Sequence, residues 1–400
     1  MLNKTTLQEM AIKSLVENKR VALQWATGVG KGYTAVKAIK EIKPTNVLIV
    51  VAETAHKKNW ADEIEKAGGV DFTVTQITIE CYASLKKYSK TSWDMVILDE
   101  AHHVGSDIRL EAFSSMKCNM ILVLSATLDV ELLQYLDMIF GKFISIKIGI
   151  QESIDEGYLP EPKICLIPLE LDYIHRTETI EESWGKSANR NTIVCQTMKE
   201  SWSYRKNKKM FPNTKLIIKC TEYEKYHYLT EQMDFWMKRY ISTRKEVFKT
   251  KALQLGSRRK AYLGGIKTPY VLRLMESLKS KRYICFCTDI LQADVLGGDN
   301  AIHSKKSNNQ QTIDAFNDGK KNSLFAVGMA QEGMNLNDIQ AGVIVQLDGK
   351  ERAFIQKFGR TLRAKNPVQY IFYYKFTQDE KWLNNDLEGI DKKFISEYKL

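Results

Sequence analysis

The stretch Ala26-Thr27-Gly28-Val29-Gly30-Lys31 decides the fold class of this chain. A hydrophobic run at residues 21–25 precedes it and predicts a buried strand, and a helical pattern starts near Lys31. Glycines in such a turn let the backbone wrap an anion, so that several N–H groups and a helix N-terminus point at it. We therefore expect Lys31 to reach the β- and γ-phosphates of a nucleotide. The other expected nucleotide-binding residues of this loop are Thr27, Gly28, Val29, Gly30 and Gly32.

A second stretch, Asp99-Glu100-Ala101-His102, makes this interpretation specific. It ends another hydrophobic run, residues 95–98, and so would lie at the carboxyl end of a strand. There Asp99 can hold Mg²⁺ and Glu100 can orient the water that attacks a phosphate, so both are candidate metal-site and catalytic residues. Because the two stretches occur in this order, about 68 residues apart, they predict hydrolysis of a nucleoside triphosphate.

Length and composition bound the remaining possibilities. Four hundred residues favour two domains over a single core. No apolar run approaches the ~20 residues that a membrane-spanning helix needs. The N-terminal segment also lacks the apolar centre of a secretion signal, so we expect a cytoplasmic protein without a membrane partner. The seven cysteines form no CxxC pair, and we expect reduced thiols and no zinc.

The positive charge of the chain is concentrated in one segment. The net charge is +11, and residues 173–265 contain 20 Lys and Arg against 9 Asp and Glu, so the rest of the chain is neutral. Aromatic residues are interleaved with these cations, which favours a folded element that faces a polyanion over a merely solvated insertion. Within the segment, Arg258, Arg259 and Lys260 are candidate nucleic-acid contacts.

Hydrophobic runs alternate with helical patterns along two parts of the chain. In the first part the runs cover residues 21–25, 46–51, 72–79, 95–98 and 120–124, and in the second they cover 164–171, 282–287, 323–327, 342–346 and 369–376. This alternation predicts mostly parallel sheets with helices on both faces. Two prolines within residues 157–162 predict an extended linker between the parts.

We therefore predict an α/β protein with two doubly wound, parallel-sheet domains in tandem. The first covers residues 1–150 and binds the nucleotide. The second covers residues 151–378 and carries a basic, largely helical insertion at about 173–265. Residues 379–400 are expected to form a small helix or a C-terminal tail.

The motifs, in this order, resemble those of the superfamily 2 helicases and translocases, ATP-driven motors with two RecA-like domains. The resemblance spans residues from about 5 to 376, and the acidic motif has the DEAH form. It implies that Lys31 binds phosphate and that Asp99 and Glu100 hold Mg²⁺ and activate water. It also implies that Gln8 reads the adenine of ATP, because an amide can both donate to and accept from that base. The alternative for Gln8 is an exposed position at the start of a helix.

The resemblance assigns further roles in coupling and in nucleotide contact. His102 and the hydroxyls of Ser125 and Thr127 resemble the residues that transmit the state of the nucleotide. Gly333 and Asn335, within residues 331–336, resemble a motif that contacts both nucleotide and nucleic acid.

Residues 356–363 resemble the arginine-finger helix of the family. Its candidate catalytic residues are Gln356, Arg360 and Arg363. The two arginines are three residues apart and share a helical face. From across a cleft they would stabilise the charge that builds on the γ-phosphate, an effect of ~10³–10⁵ in rate where it has been measured.

Other motifs resemble contacts to nucleic acid. The candidates are Thr54, Tyr82, Ser84, His303 and Ser304. The sequence Asn59-Trp60, followed by Glu63, resembles DNA translocases of the Swi/Snf and restriction-enzyme branches more than RNA helicases. Within this motif we expect Trp60 to pack in the core.

Gly32 departs from the family pattern, which has Thr or Ser after the phosphate-binding lysine. That hydroxyl would supply one Mg²⁺ ligand. Because Mg²⁺ keeps waters readily, we expect weakened metal binding rather than loss of activity. Thr34 would face away from the site and is a poor substitute.

The sequence therefore predicts a small DNA helicase or translocase of bacterial or phage type, acting as a monomer with ATP and Mg²⁺. Single-stranded, duplex or branched DNA is the expected partner, and remodelling of forks or junctions in replication, recombination or repair the expected role. Three alternatives stay open: a duplex translocase that never separates strands, an RNA helicase, and an ATP-regulated clamp that hydrolyses ATP poorly because of Gly32.

Overall fold

The computed structural model of the chain describes residues 4–104, 107–185, 190–328, 336, 338–349, 351–362 and 364–400. Six strands form the first sheet: β1 (Arg20–Trp25), β2 (Asn46–Val51), β3 (Gln76–Cys81), β4 (Ser92–Asp99), β5 (Lys117–Ser125) and β6 (Ile144–Ile148). All pair in parallel, in the order β3-β2-β4-β5-β1-β6. Strand β2 is apolar on both faces after its first residue, as a strand covered on both sides must be.

Helices cover both faces of this sheet. They are α1 (Lys4–Asn18), α2 (Lys31–Ile42), α3 (Thr54–Lys66), α4 (Asp107–Ser114), α5 (Val130–Phe140) and α6 (Ile150–Asp155). Successive residues of β1 point to opposite faces of the sheet. Leu23 belongs to the apolar cluster that includes α1, α2 and α3, whereas Ala22 belongs to the cluster that includes α4 and α5. The doubly wound arrangement predicted for this domain is confirmed.

The second domain begins with β7 (Lys163–Leu169) and is then interrupted by the insertion. The insertion contains β8 (Glu178–Ser183), β9 (Asn191–Cys195), α7 (Met198–Lys206), β10 (Thr214–Cys220), α8 (Glu222–Thr243) and α9 (Glu246–Ile266). Strand β10 lies between β8, to which it is antiparallel, and β9, to which it is parallel. The helices account for most of the insertion, as expected, but a small sheet that the sequence did not predict accompanies them. Charged strands such as β8, in which Ile180 is the buried residue, lack the apolar run that would predict them.

The rest of the second domain returns to the alternating pattern. Its elements are α10 (Thr268–Ser277), β11 (Tyr283–Phe286), α11 (Ile290–Gly297), β12 (Ala301–Ile302), α12 (Asn309–Asn317), β13 (Ser323–Ala326), β14 (Ala341–Ile344), α13 (Glu351–Thr361), β15 (Val368–Tyr374), α14 (Gln378–Asp386) and β16 (Ile395–Glu397). The seven strands run in parallel in the order β12-β13-β11-β14-β15-β7-β16.

Residues 379–400 complete this domain: they contain most of α14, which fits the small helix that was one of the two expectations, and a strand that was not expected. Thr377 caps α14 by accepting a hydrogen bond from the backbone N–H of Asp379. Strand β16 pairs with β7 at the edge of the sheet and places Ile395 opposite Ile164. A three-residue strand gives no periodic signal, so the sequence did not reveal it. Among the described residues, no helix is both long and apolar enough to cross a bilayer.

Candidate active site

A cleft of about 320 Å³ opens at the carboxyl ends of the first domain's strands. The first domain lines it with the loop that follows β1, with Trp60 of α3, and with Asp99 and Glu100 at the end of β4. The second domain contributes Arg360 of α13. Side chains that are far apart in the sequence therefore meet in one cavity between the two sheets.

The loop after β1 has the backbone shape of a phosphate-binding turn. Gly28 and Gly30 adopt φ angles of 97° and 104°, a left-handed conformation that favours glycine. Gly30 is also the N-cap of α2 and offers no side chain, so the first N–H groups of that helix are left for a ligand. The side chain of Val29 is fully buried in the core, and its N–H donates to Ala26 O at 3.3 Å. Val29 therefore anchors the loop with its side chain.

Two lysines bring positive charge to this loop. Nζ of Lys31 donates to Trp25 O, at the end of β1, at 2.8 Å. Nζ of Lys4, in the first turn of α1, donates to Gly28 O at 3.2 Å. Sequence reasoning missed Lys4, although it lies one helical turn before Gln8. Gln8 is buried, and its Nε2 would be 3.5 Å from a Cβ on Gly30, so the amide lies beside the loop and is not the exposed glutamine of the alternative.

Asp99 is held by three hydrogen bonds. Its Oδ2 accepts from Nε1 of Trp60 at 2.8 Å, its Oδ1 accepts from the N–H of Glu100 at 3.0 Å, and its carbonyl accepts from the hydroxyl of Tyr82 at 2.9 Å. Removal from water raises the pKa of Asp99, while the bond from Trp60 and the charge of Lys31 oppose this rise. Trp60 is buried, as expected, but it also orients the acidic motif.

Tyr82 was expected to contact nucleic acid, and the structure corrects this. Tyr82 is 2% exposed, and its hydroxyl donates a hydrogen bond to the carbonyl of Asp99. The tyrosine therefore fixes the end of β4 from inside the domain. A motif match gives a residue type at a position, but not the direction in which its side chain points.

Glu100 has an unusual backbone conformation. Its φ of 46° lies in the left-handed region, which costs a non-glycine residue roughly 1–3 kcal/mol and is concentrated at functional sites. Oε2 of Glu100 lies 3.5 Å from Nδ1 of His102, which joins the acidic motif to the candidate coupling residue. In the next motif, residues 125–127, Ser125 is fully buried and its hydroxyl donates to Thr127 O. This hydrogen bond links the first and last residues of the motif.

The helix α13 packs directly on the phosphate-binding loop. A Cβ added to Gly359 would come within 2.5 Å of Thr27 Cβ, so only glycine permits this approach. The next residue, Arg360, is 8% exposed and lines the cleft. Gln356, one turn earlier, is buried beside it on the same helix. Gly333, Asn335 and Arg363 lie outside the described residues.

The residues present fit a magnesium-bound nucleotide. The hydroxyl oxygen of Thr27 is buried in the loop without a hydrogen-bond partner in the described part of the chain. Asp99 and Glu100 offer carboxylate oxygens, the donors that Mg²⁺ prefers. The described residues contain no group of three or more His, Cys, Asp or Glu placed to hold a metal alone, so phosphate oxygens and waters would complete the coordination. The Thr34 hydroxyl donates to Gly30 O at 2.9 Å and faces away, as expected.

The remaining candidate contacts to nucleic acid divide into exposed and buried residues. Thr54, Ser304 and Arg258 are exposed, and Ser84 and Lys260 are half-buried. His303 is 3% exposed, and its Nε2 lies 3.0 Å from Asp294 Oδ1. Arg259 is 7% exposed, and its Nη1 donates to Thr230 Oγ1 at 3.1 Å. The expectation that His303 and Arg259 contact nucleic acid is therefore corrected, because both side chains are buried and form polar contacts within the second domain.

Cations and aromatic rings alternate on the helix pair α8–α9. Trp236 stacks on Phe248 with an interplanar angle of 25°, and Nζ of Lys251 lies 4.3 Å from the Trp236 ring centroid. A groove of about 390 Å³ between this pair and β8 is lined by Lys251, Arg258 and Lys225 among other residues. Glu181 also lines the groove, and Lys225 is paired with Glu178, so the surface combines cations, rings and some negative charge.

Two family models match the chain. Residues 2–130 match the res subunit of type III restriction enzymes, and residues 266–365 match the helicase conserved C-terminal domain. The two matches fall on the two parallel-sheet domains and leave the insertion outside. The first matched region contains Lys31, Asp99 and Glu100, and the second contains Arg360, so both sides of the cleft lie within matched regions.

Among curated proteins, the DNA 3'-5' translocase XPB2 of Sulfurisphaera tokodaii is 22% identical over 382 residues, which is 90% of this chain and 78% of the relative. The ATP-dependent rRNA helicase RRP3 of Saccharomyces cerevisiae is 27% identical over 111 residues, 25% of this chain and 22% of the relative. A solved structure of S. cerevisiae Dbp5 bound to RNA and ADP BeF3 covers 98% of this chain and 88% of that protein with a TM-score of 0.55 and 12% identity. That likeness supports the fold of two tandem RecA-like domains.

Proposed function

Because the chain belongs to the superfamily 2 helicases and is therefore an ATPase of helicase type, we propose that it is an ATP-driven motor that moves on or remodels DNA. The observation that carries the proposal is the composite cleft. Lys31 and Asp99 of the first domain share it with Arg360 of the second. A reaction in this cleft depends on how the two domains meet, which is what a motor needs.

The residues of the cleft divide the work of hydrolysis. Backbone N–H groups at the start of α2 and the ammonium of Lys31 hold the phosphates of ATP. Mg²⁺ bound with the nucleotide would neutralise charge on its β- and γ-oxygens. Asp99 is oriented by Trp60 to hold that site, and Glu100 accepts a proton from the attacking water. Arg360 stabilises the negative charge that develops on the γ-phosphate.

Hydrolysis is coupled to domain movement through α13. Gly359 packs on the phosphate-binding loop and the adjacent Arg360 lines the cleft. When α13 packs on the loop, the guanidinium of Arg360 therefore enters the cleft at the same time. Loss of the γ-phosphate removes the charge that Arg360 binds, and the cleft then opens. Repeated closure and opening would move the domains along a strand held by its phosphates, so that binding depends on salt more than on sequence.

DNA is the favoured track. The relative whose match spans most of this chain is described as a DNA translocase, whereas the match to the rRNA helicase extends over 111 residues, 25% of this chain. The exposed cations of the insertion support a polyanionic partner. Forks and branched junctions in replication, recombination or repair are the proposed substrates. The rRNA helicase match keeps an RNA substrate as the second candidate.

Steady-state ATP hydrolysis with Mg²⁺ tests the proposal. The protein is assayed alone and with single-stranded DNA, duplex DNA, a branched junction or RNA. The proposal predicts stimulation by at least one DNA form above that by RNA. Duplex stimulation without strand separation would identify a duplex translocase. Stimulation by RNA alone would reassign the track, and ATP binding without turnover on any of them would identify a clamp and contradict the motor.

A further inference from the structure

Gly32 leaves the phosphate-binding loop without the hydroxyl that usually follows its lysine. We propose that Glu63 of α3 takes over that function and holds the hydration shell of the nucleotide-bound Mg²⁺. The inference rests on the proposed function, because it requires that the cleft bind ATP with its metal. It adds a positioning residue for the metal on an element other than the loop.

The space beside Gly32 belongs to Glu63. A Cβ built on Gly32 would lie 3.7 Å from Glu63 Cγ, 3.8 Å from its Oε2 and 3.9 Å from its Cδ, which are its three nearest atoms outside the adjoining backbone. A side chain at position 32 would therefore point at this carboxylate. Because Glu63 stands where that side chain would reach, its carboxylate lies on the side of the loop from which the missing oxygen would act.

The backbone does not explain the glycine. Gly28 and Gly30 have positive φ angles, but Gly32 is not among the positive-φ glycines and lies in the first turn of α2. Distances of 3.7–3.9 Å are ordinary van der Waals contacts, so a Cβ would fit without displacing its neighbour. Glycine inside a helix is also less favourable than alanine by roughly 0.5–1 kcal/mol. The loop can thus accept a serine at this position, which makes the substitution a usable probe.

Helix α3 directs Glu63 and the acidic motif toward the same cavity. Asn59, Trp60 and Glu63 all line the cleft, as residues spaced three or four apart on one helical face can. Trp60 donates to Asp99 Oδ2 at 2.8 Å, so the position of α3 relative to the end of β4 is fixed by a hydrogen bond. Glu63, one turn beyond Trp60, is held in relation to Asp99 by the same contact.

A carboxylate at this place can act through water. Mg²⁺ takes six oxygens and retains several waters when the protein supplies few ligands. The described residues contain no set of three acidic, His or Cys side chains assembled to hold a metal directly. Glu63 therefore accepts a hydrogen bond from a metal-bound water rather than joining Asp99 and Glu100 as a third direct ligand. Removal of such an outer partner typically weakens metal affinity about 10–100-fold.

The test measures metal binding without turnover. The full chain is mixed with a non-hydrolysable ATP analogue and titrated with Mn²⁺, whose free form is followed by electron paramagnetic resonance. Glu63→Gln is expected to weaken Mn²⁺ affinity about 10–100-fold. Gly32→Ser in that background should recover most of the loss by restoring an oxygen at the loop. Glu65→Gln is the matched control, because Glu65 is exposed on the same helix, and it should leave the affinity unchanged.

The outcomes separate this inference from the proposed function. Unchanged Mn²⁺ affinity in Glu63→Gln, with normal uptake by the unmodified chain, overturns the role of Glu63 alone. A loss that Gly32→Ser fails to recover also overturns it, because Glu63 would then act on the structure of α3. If the unmodified chain binds the analogue without taking up Mn²⁺, the metal-dependent ATP site itself is contradicted.

Discussion

The two walls of the cleft are built in different ways. The first-domain wall consists of loops at the ends of β1 and β4, and hydrogen bonds fix it, such as those from Lys31 to Trp25 O and from Trp60 to Asp99. The second-domain wall is one helix, α13, which approaches so closely that Gly359 has no room for a Cβ. The first wall is thus complete within one domain, whereas the second acts only while the two domains are in contact.

A large effect is expected when the first wall loses its phosphate-binding lysine. Lys31→Ala removes the ammonium that binds the β- and γ-phosphates and should reduce ATP hydrolysis ~10²–10³-fold, the range for loss of one stabilising donor. Phosphate release measures the rate. DNA binding without nucleotide should be unchanged, since the partner of this lysine is the nucleotide.

Lys37→Ala is the control for this variant, because Lys37 lies on the same helix but outside the cleft. It should hydrolyse ATP at the rate of the unmodified chain. Normal turnover in Lys31→Ala would mean that the loop is not the phosphate site.

The second domain, which carries the second wall, contains a buried ion pair. Lys267 and Asp379 are both fully buried and form a salt bridge, and Nζ of Lys267 also donates to Gln346 Oε1 at 2.9 Å beyond the end of β14. Lys267→Met leaves the carboxylate of Asp379 without its cation and should lower the free energy of unfolding by about 3–5 kcal/mol. Denaturant titration measures this loss, and Lys267→Met with Asp379→Leu should recover much of it.

A surface ion pair supplies the matched comparison. Lys279 and Glu276 pair with more than two thirds of each side chain exposed. Lys279→Met should therefore change the free energy of unfolding by less than about 1 kcal/mol. Equal effects of Lys267→Met and Lys279→Met would mean that the buried pair does not support the domain.

The contact between the walls can be disturbed at one atom. Gly359→Ala places a Cβ 2.5 Å from Thr27 Cβ, and relief of such overpacking costs about 1–3 kcal/mol. Closure should become less favourable, and DNA-stimulated kcat should fall roughly 5–150-fold by that cost. Gly265→Ala, where a Cβ meets nothing within 4 Å, is the control. A full rate in Gly359→Ala would show that hydrolysis does not need this contact.

The smallest effect concerns the insertion, which lies outside both walls. Arg258 is exposed and Arg259 is buried, although the two are adjacent in α9. If α9 contacts DNA, Arg258→Gln should flatten the dependence of log affinity on log salt by up to ~0.9. Arg259→Gln should leave the slope unchanged and lower stability, because it loses its bond to Thr230. Identical slopes in the two variants would remove Arg258 from the interface.

The sequence predicted the parts of the molecule whose signals are contiguous. The apolar run at residues 46–51 coincides with β2 (Asn46–Val51), and the glycine loop and acidic motif lie at the strand ends where they were expected. A strand covered on both faces must be apolar throughout, so its sequence shows its position directly. The same reasoning placed Arg360 on a helix, although the sequence could not show how closely α13 approaches the loop.

The sequence failed where a role depends on the direction of a side chain. Tyr82 and His303 matched motifs by position, yet both point into their own domains. Trp60 looked like a core residue, and only its distance to Asp99 shows that it also orients a carboxylate. The small sheet of the insertion was missed because β8 is charged and half exposed. Such features are fixed by tertiary packing, which periodicity does not record.

Single-turnover hydrolysis by Arg360→Ala, with saturating ATP and DNA, is the most direct test of the composite site. The account predicts a loss of ~10³–10⁵ in rate with ATP binding retained, because the guanidinium acts on charge that develops during the reaction. Arg273→Ala, exposed on α10 and outside the cleft, should keep the full rate. A rate for Arg360→Ala within a few-fold of the unmodified chain would contradict catalysis across the two walls.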